Sequence, residues 1–171
     1  MSEVKNIVTM HGNPLTLAGK PLQVGAPLPD AMLIDNNMKP VKISDYRGKV
    51  VILSVVPSLD TPVCDMQTRR FNTEATSLGN DVVVLTVSMD LPFAQKRWCG
   101  AAGVKNVTTL SDYRKADFGQ AAGLLINELR LLARAVIVLD RQGVVRYHQL
   151  VKEVSTEPNY ETVISAVKEV L

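Results

Sequence analysis

The sequence predicts an α/β fold, in which a mixed sheet carries helices on both faces and an N-terminal β-hairpin. Two short apolar segments rich in β-branched residues, 50–56 and 82–88, are typical of strands buried on both faces of a sheet. Between them, apolar residues recur at steps of three and four over residues 61–78, which predicts a helix. A strand, a helix and a strand in this order indicate a parallel βαβ unit.

Turn residues and apolar periodicity predict the remaining elements. In chain order they are a hairpin over 7–17 that turns at Gly12-Asn13-Pro14, a helix from Pro92 to Gly100 or Gly103, a strand near 107–110, a helix near 114–122, a hairpin over 134–152 that turns at Gln142-Gly143, and a last helix with Pro158 early in it. This order fits a thioredoxin-like layout, with the first hairpin as a cap on the core.

Length and composition narrow the possible functions. The chain has 171 residues, 46% of them hydrophobic and 21% charged, which predicts one domain over residues 1–171. The net charge is only +2, so we expect no nucleic-acid partner and no anionic membrane surface. The N-terminus lacks a signal peptide's apolar stretch, and no apolar run approaches the roughly 20 residues that span a bilayer. We therefore expect a soluble, cytoplasmic protein.

The first cysteine, Cys64, is expected at the start of a helix. Pro62 suits the first helical position, which makes Thr61 the N-cap and Cys64 the third helical residue. The free N–H groups there carry about half a positive charge and favour a nucleophilic thiolate over a thiol. A cysteine on an apolar helix face is equally typical of an inert core residue. The Thr61 hydroxyl could cap the helix, bond the sulfur or position a polar atom of a substrate.

The second cysteine, Cys99, is expected at the opposite end of its helix, where the dipole disfavours a thiolate. The pair therefore predicts an order in which Cys64 attacks first and Cys99 acts second. A structural disulfide could instead stabilise the fold by roughly 4 kcal/mol, although a cytosolic location would keep it reduced. A zinc site would need the distant His11 and His148, and a cysteine hydrolase would need one of them as its base; we expect both histidines at the surface.

Arg134 interrupts an apolar strand segment, where an unpaired charge would be costly. One explanation is an ion pair with Glu128 or Asp112, which the residues alone favour slightly. The other is that Arg134 faces the start of the first helix, where it would stabilise the Cys64 thiolate and donate hydrogen bonds to a substrate oxygen.

Several segments together resemble a known family. The spacing Pro57-x-x-x-Thr61-x-x-Cys64 with a later Arg134 resembles the peroxiredoxin active-site signature. The blocks SLDTPVCDMQTRRFN, SMDLPFAQKRWCGA and LLARAVIVLD resemble the bacterial thiol peroxidase group, which are atypical two-cysteine peroxiredoxins. The similarity covers nearly the whole chain. Trp98 stands where this group often has phenylalanine, and residues 127–130 lie where the group varies.

The resemblance implies a thioredoxin fold, a homodimer, and reduction of hydrogen peroxide and organic hydroperoxides at the expense of thioredoxin, without a metal or organic cofactor. Cys64 would be the peroxidatic cysteine, and Cys99 the resolving cysteine of the same subunit. Thr61 and Arg134 would orient the peroxide and stabilise the thiolate, and Pro57 would shield the pocket. A Cys64 sulfenic acid would then condense with Cys99 to an intramolecular disulfide.

Two further expectations concern this chemistry. Because the cysteines are predicted on different helices, disulfide formation should need one helix end to fray. The apolar surroundings of Cys64 favour alkyl or lipid hydroperoxides over hydrogen peroxide. The alternative function is a non-enzymatic redox sensor, which would oxidise once instead of turning over.

Overall fold

In the computed structural model, which describes residues 2–171, five strands precede the first α-helix and four consecutive strands precede the last one. The strands are β1 (Glu3–Met10), β2 (Asn13–Ala18), β3 (Met32–Ile34), β4 (Pro40–Lys42), β5 (Val50–Val55), β6 (Val82–Ser88), β7 (Thr108–Ser111), β8 (Leu125–Ile126), β9 (Leu131–Leu132), β10 (Ala135–Leu139) and β11 (Val145–Leu150). The helices are α1 (Pro62–Leu78), α2 (Pro92–Ala102), α3 (Asp117–Ala121) and α4 (Tyr160–Val170), and a 3₁₀ turn covers Ile43–Tyr46.

The larger sheet has the strand order β11-β10-β5-β6-β7-β3-β4. Strands β5, β6 and β7 are parallel, and β10 pairs antiparallel with β5, so the predicted mixed sheet and its βαβ unit are confirmed. Side chains of β5 alternate between two cores, with Val50 and Ile52 in one and Val51 and Leu53 in the other. Helices α1 and α4 cover the first core, whereas α3 and the N-terminal strands cover the second.

The N-terminal hairpin belongs to a second, smaller sheet with the order β1-β2-β8-β9. Its turn lies at His11 and Gly12, whose φ angles are +50° and +80°, so the turn predicted at Gly12-Asn13-Pro14 was placed too late. Asn13 already begins β2, because a two-residue turn with positive φ matches the twist of the strands. Leu17 and Val8 are almost fully buried, which confirms the hairpin as a cap on the core.

The helix ends differ in part from the prediction. Helix α2 ends at Ala102, with Gly103 in the left-handed conformation after it, so Cys99 lies in the last turn as expected. The predicted helix near 114–122 is shortened to α3. Pro158 was wrongly placed inside the last helix, because the Asn159 side chain accepts the Thr162 N–H and caps a helix that begins at Tyr160. Within residues 2–171, no helix has the length and apolarity needed to cross a membrane.

Candidate active site

Cys64 lies in the first turn of α1, immediately behind the loop that leaves β5. It is the third helical residue after Thr61, which has an extended backbone and occupies the N-cap position. The loop begins with Pro57, which is buried and has no N–H to continue the strand. The Cys64 side chain has no exposed surface and packs in a small cluster with Val56 and Leu59. Burial at a helix N-terminus gives the sulfur a confined, electropositive setting.

Arg134 reaches this sulfur from the segment between β9 and β10. Its Nη2–H donates to Cys64 Sγ at 3.3 Å, its Nη1–H donates to Gln67 Oε1 at 2.9 Å, and its Nε–H donates to the Val154 carbonyl at 2.8 Å. Arg134 is 2% exposed, so this guanidinium is a buried charge whose three hydrogen bonds fix its direction. The guanidinium therefore places a positive charge in direct contact with Cys64 Sγ.

The ion pair that the residues alone favoured for Arg134 is therefore wrong. In the part of the chain that the structure describes, the carboxylate of Glu128 accepts the Thr16 N–H from the hairpin. The carboxylate of Asp112 accepts the N–H groups of Phe118 and Gly119 at the start of α3. Arg134 instead meets two neutral acceptors and the sulfur.

Gln67 was missed by the sequence reasoning, although its position carried a signal. It is fully buried, and its Nε2–H donates to Ser54 Oγ at 2.8 Å while its Oε1 accepts from Arg134. Gln67 lies three residues after Cys64, so both side chains project from the same face of α1. A polar residue at that spacing within an apolar stripe is the feature that could have identified it. Gln67 holds the guanidinium in front of the sulfur.

Thr61 is exposed, and its hydroxyl neither caps the helix nor bonds the sulfur. Its Oγ1–H donates to the Ser58 carbonyl at 2.7 Å, which closes the turn that precedes α1. The Thr61 carbonyl accepts the Asp65 N–H at 3.0 Å, which is the first hydrogen bond of the helix. The lone pairs of the hydroxyl are thus free to accept a hydrogen bond from a substrate.

Asp90, which precedes α2, fixes the loop before Cys64 and was also missed. Its carboxylate accepts the Ser58 hydroxyl at 2.7 Å and the Leu59 N–H at 2.8 Å, and it also accepts the Ser88 hydroxyl. Because Asp90 lies two residues before the helix that carries Cys99, one carboxylate joins the loop of the first cysteine to the start of the helix of the second.

A shallow cavity of about 320 Å³ opens beside the start of α1. Leu59 and Trp98 belong both to its lining and to the cluster around Cys64, so these two side chains separate the cavity from the sulfur. Trp98 is held in place because its Nε1–H donates to Asp65 Oδ1 at 3.0 Å. The guanidinium of Arg69 bonds the same carboxylate and lies 5.8 Å from the centroid of the Trp98 rings.

Cys99 occupies a different environment on the far side of α2. Its side chain is partly exposed, and its Sγ lies 3.6 Å from the Thr109 hydroxyl, which donates to Asn36 Oδ1 at 3.0 Å. A cavity of about 310 Å³ opens next to it. Both cysteines are free thiols, and each sulfur has its own partners. The structure thus describes the dithiol state.

The two histidines lie in different surroundings. His11 is exposed in the hairpin turn, as expected, whereas His148 is only partly exposed, on strand β11. Burial lowers the pKa of His148, and its Nε2 has no hydrogen-bond partner among the described residues. Across residues 2–171, no three His, Cys, Asp or Glu side chains are grouped in a way that could hold a metal ion.

Comparison with known proteins identifies the family. The Redoxin family model matches residues 23–164, which is most of the chain. The chain belongs to the redoxin family. It is 54% identical to the thiol peroxidase of Oceanobacillus iheyensis over 158 residues, covering 92% of this chain and 96% of that protein. It is 53% identical to the thiol peroxidase of Bacillus subtilis over 161 residues, covering 94% and 96%.

Solved structures agree with this redoxin assignment. A peroxiredoxin-like protein from Aquifex aeolicus superposes with a TM-score of 0.90 at 41% identity, over 97% of this chain and 98% of that one. A thiol peroxidase from Chromobacterium violaceum shares the fold with a TM-score of 0.85 at 19% identity, over 95% of both chains. The resemblance to the bacterial thiol peroxidases and the expectation of a peroxidase enzyme are therefore confirmed for this redoxin.

Proposed function

We propose that this redoxin reduces hydroperoxides with Cys64 as the peroxidatic and Cys99 as the resolving cysteine. The observation that carries the proposal is the hydrogen bond from the buried Arg134 guanidinium to Cys64 Sγ at 3.3 Å, in the first turn of α1. A cation and a helix N-terminus aimed at one sulfur stabilise the anion that attacks a peroxide. An inert core cysteine would gain nothing from a buried charge beside it.

In the first step, the Cys64 thiolate attacks the terminal oxygen of ROOH. The S–O bond forms as the O–O bond breaks, so the sulfur is oxidised to a sulfenic acid and the peroxide is reduced by two electrons. The departing alkoxide takes a proton and leaves as ROH. Arg134 and the free N–H groups at the start of α1 stabilise the negative charge that develops on this oxygen. The Thr61 hydroxyl accepts a hydrogen bond from the peroxide, and buried Pro57 keeps water from the sulfur.

In the second step, the Cys99 thiol attacks the sulfenic sulfur, an S–S bond forms and water leaves. Because Cys64 is buried behind Trp98 while Cys99 contacts Thr109, the two sulfurs can meet only after part of α1 or α2 frays. Movement of Trp98 would both uncover Cys64 and displace Cys99, since this residue covers Cys64 and directly precedes Cys99 in the chain.

Several finer properties follow the same family resemblance and form part of the proposal. The Cys64–Cys99 disulfide is recycled by thioredoxin, the protein acts as a homodimer in the cytoplasm, and residues 1–171 form one domain. Apolar side chains around Cys64, including Leu59 and Trp98, favour alkyl or lipid hydroperoxides over hydrogen peroxide.

The decisive experiment compares the variants Cys64→Ser and Cys99→Ser with the unmodified protein, using cumene hydroperoxide and a coupled thioredoxin system. We expect Cys64→Ser to lose all hydroperoxide turnover, because the nucleophile is absent. Cys99→Ser should reduce about one equivalent of hydroperoxide and stop at a sulfenic acid, which a sulfenic-acid trapping reagent detects by mass spectrometry. Turnover by Cys64→Ser would show that the nucleophile is misassigned. Undiminished thioredoxin-coupled turnover by Cys99→Ser would show that the resolving residue is misassigned.

A further inference from the structure

The N-terminal hairpin lies outside the segment that matches the redoxin family, because the match begins at residue 23 whereas β1 and β2 cover Glu3–Met10 and Asn13–Ala18. A hairpin outside the family segment can contribute to the stability of the fold alone, or it can also position residues of the active site. Its contacts with residues 151–155 distinguish these possibilities, since that segment also holds Arg134.

The segment 151–154 is hydrogen-bonded to Arg134 at two points. The Val151 N–H donates to the Arg134 carbonyl at 2.9 Å, and the Val154 carbonyl accepts the Nε–H of the guanidinium at 2.8 Å. Val154 is 1% exposed, so its carbonyl accepts this bond away from water. Any shift of Val154 therefore changes the direction in which the guanidinium meets Cys64.

Strand β1 binds the same segment by a short parallel pairing centred on Thr9. The Thr9 N–H donates to the Lys152 carbonyl at 2.8 Å, and the Val154 N–H donates to the Thr9 carbonyl at 2.8 Å. These two bonds bracket Glu153, which faces Thr9 in the pairing. The hairpin thus binds the N–H of Val154, while the carbonyl of the same residue binds Arg134.

The carboxylate of Glu153 completes this connection, because it accepts hydrogen bonds both from the hairpin and from its own loop. It accepts the hydroxyl of Thr9 at 2.6 Å, the N–H of His11 at 2.9 Å and the N–H of Gly12 at 3.1 Å from the hairpin. It also accepts the N–H and hydroxyl of Ser155 from its own loop. The hydroxyls of Ser155 and Thr9 and the turn amides hold the pKa of the Glu153 carboxyl well below its usual range.

We propose that the N-terminal hairpin is a positioning element of the active site, in which Glu153 binds the hairpin turn and so holds the Val154 carbonyl that directs Arg134 toward Cys64. Glu153 is a positioning residue and touches neither substrate nor sulfur. The proposal rests on the peroxidatic role of Cys64 proposed above.

Glu128 provides a matched control on the other side of the hairpin. Its carboxylate also accepts a hairpin amide, the Thr16 N–H at 3.0 Å, and these bonds to Thr16 likewise lower its pKa. Neither it nor Thr16 is bonded to Arg134, Val151 or Val154. Loss of Glu128 thus weakens the attachment of the hairpin without releasing the Val154 carbonyl.

The test measures the single-turnover rate of Cys64 oxidation by cumene hydroperoxide, using the fluorescence of Trp98, the only tryptophan of the chain. We expect Glu153→Ala to slow this rate about tenfold and Glu128→Ala to leave it within about twofold, because only the first variant loosens a charge-assisted hydrogen bond. Glu153→Gln keeps one acceptor oxygen, so its oxidation rate should lie between the rates of the two alanine variants. An unchanged rate in Glu153→Ala would overturn the proposal.

A double-mutant cycle with Arg134→Ala separates positioning from general stability. If Glu153 acts through Arg134, then adding Glu153→Ala to Arg134→Ala should cause no further slowing. Equal slowing in both backgrounds would overturn the proposal, since the effect would not pass through the arginine. Should Glu153→Ala fail to fold, Thr9→Val removes only the hydroxyl bond to Glu153 and should slow oxidation about threefold; an unchanged rate in Thr9→Val would equally count against it.

Failure of this proposal and failure of the proposed function give different results. If Cys64→Ser is inactive while Glu153→Ala oxidises at the unmodified rate, only the role of the hairpin is wrong. If Cys64→Ser still turns over hydroperoxide, the site itself is misassigned.

Discussion

The two cysteines of this redoxin lie in contrasting surroundings. Cys64 is fully buried in the first turn of a helix and accepts a hydrogen bond from a guanidinium held by three bonds. Cys99 is partly exposed in the last turn of another helix, and within residues 2–171 the polar contact of its sulfur is a hydroxyl at 3.6 Å. The two thiols thus differ in their surroundings: a buried guanidinium and the start of a helix lie beside Cys64, whereas a neutral hydroxyl lies beside Cys99.

The largest expected effect comes from removing the charge that distinguishes the two sites. Arg134→Ala should slow oxidation of Cys64 by cumene hydroperoxide on the order of 100-fold, the cost typical of losing one donor to a developing oxyanion. Stopped-flow fluorescence of Trp98 measures this rate, and circular dichroism checks that the variant is folded. Alkylation of Cys99, followed by mass spectrometry, should stay unchanged, because Arg134 has no contact with that thiol. If Arg134→Ala slowed the reactions of both cysteines equally, the arginine would not distinguish the two sites.

A smaller effect is expected from replacing Trp98, which packs against Cys64 and directly precedes Cys99. Trp98→Phe keeps an aromatic side chain over Cys64 but loses the N–H donated to Asp65 Oδ1, which should cost about 1 kcal/mol of unfolding free energy. If α2 must fray before the disulfide forms, that step should accelerate about fivefold, because 1 kcal/mol corresponds to this factor in an equilibrium. Acid quenching and mass spectrometry of the disulfide measure it.

The control for Trp98→Phe is Phe93→Leu. Phe93 lies on the same helix, is 66% exposed and contributes no side-chain hydrogen bond, so its replacement should leave disulfide formation unchanged. Slower disulfide formation in Trp98→Phe would contradict the idea that this residue holds the two helices in the dithiol arrangement.

The smallest effect is expected at the Cys99 site. Thr109→Val removes the hydroxyl near Cys99 Sγ, and because a thiol is a weak hydrogen-bonding group, peroxide oxidation and disulfide formation should each change by less than about twofold. The same quenched-reaction assay measures both steps. A tenfold change in either would show that Cys99, too, is activated by its surroundings.

Much of the fold could be predicted because its signals are local. The apolar segments that became β5 and β6, the periodicity of α1 and the cap at Thr61 depend on neighbouring residues, and all four were correctly identified. Short strands such as β8 and β9, with two residues each, carry no periodic pattern and were missed. Strand β8 depends on pairing with β2, a contact distant in sequence, and β9 depends in turn on pairing with β8.

The features of the site likewise comprise some that are local in sequence and some that depend on distant residues. Placement of Cys64 at a helix N-terminus and of Cys99 near a helix C-terminus follows from proline, glycine and spacing alone. The partners of Arg134 do not, since Gln67 lies 67 positions away and Val154 lies 20 positions away. For that reason the residues alone favoured an ion pair with Glu128 or Asp112, and neither carboxylate meets the guanidinium in the folded chain.

The sequence alone was enough to place Cys64 in the first turn of one helix and Cys99 in the last turn of another, because helix ends are properties of short segments. The direction of the buried Arg134 charge, and the groups that hold it, depend on the tertiary structure. A buried guanidinium must find its acceptors wherever the fold brings them, in this case on α1, from Gln67 and Cys64, and in the loop after β11, from the Val154 carbonyl.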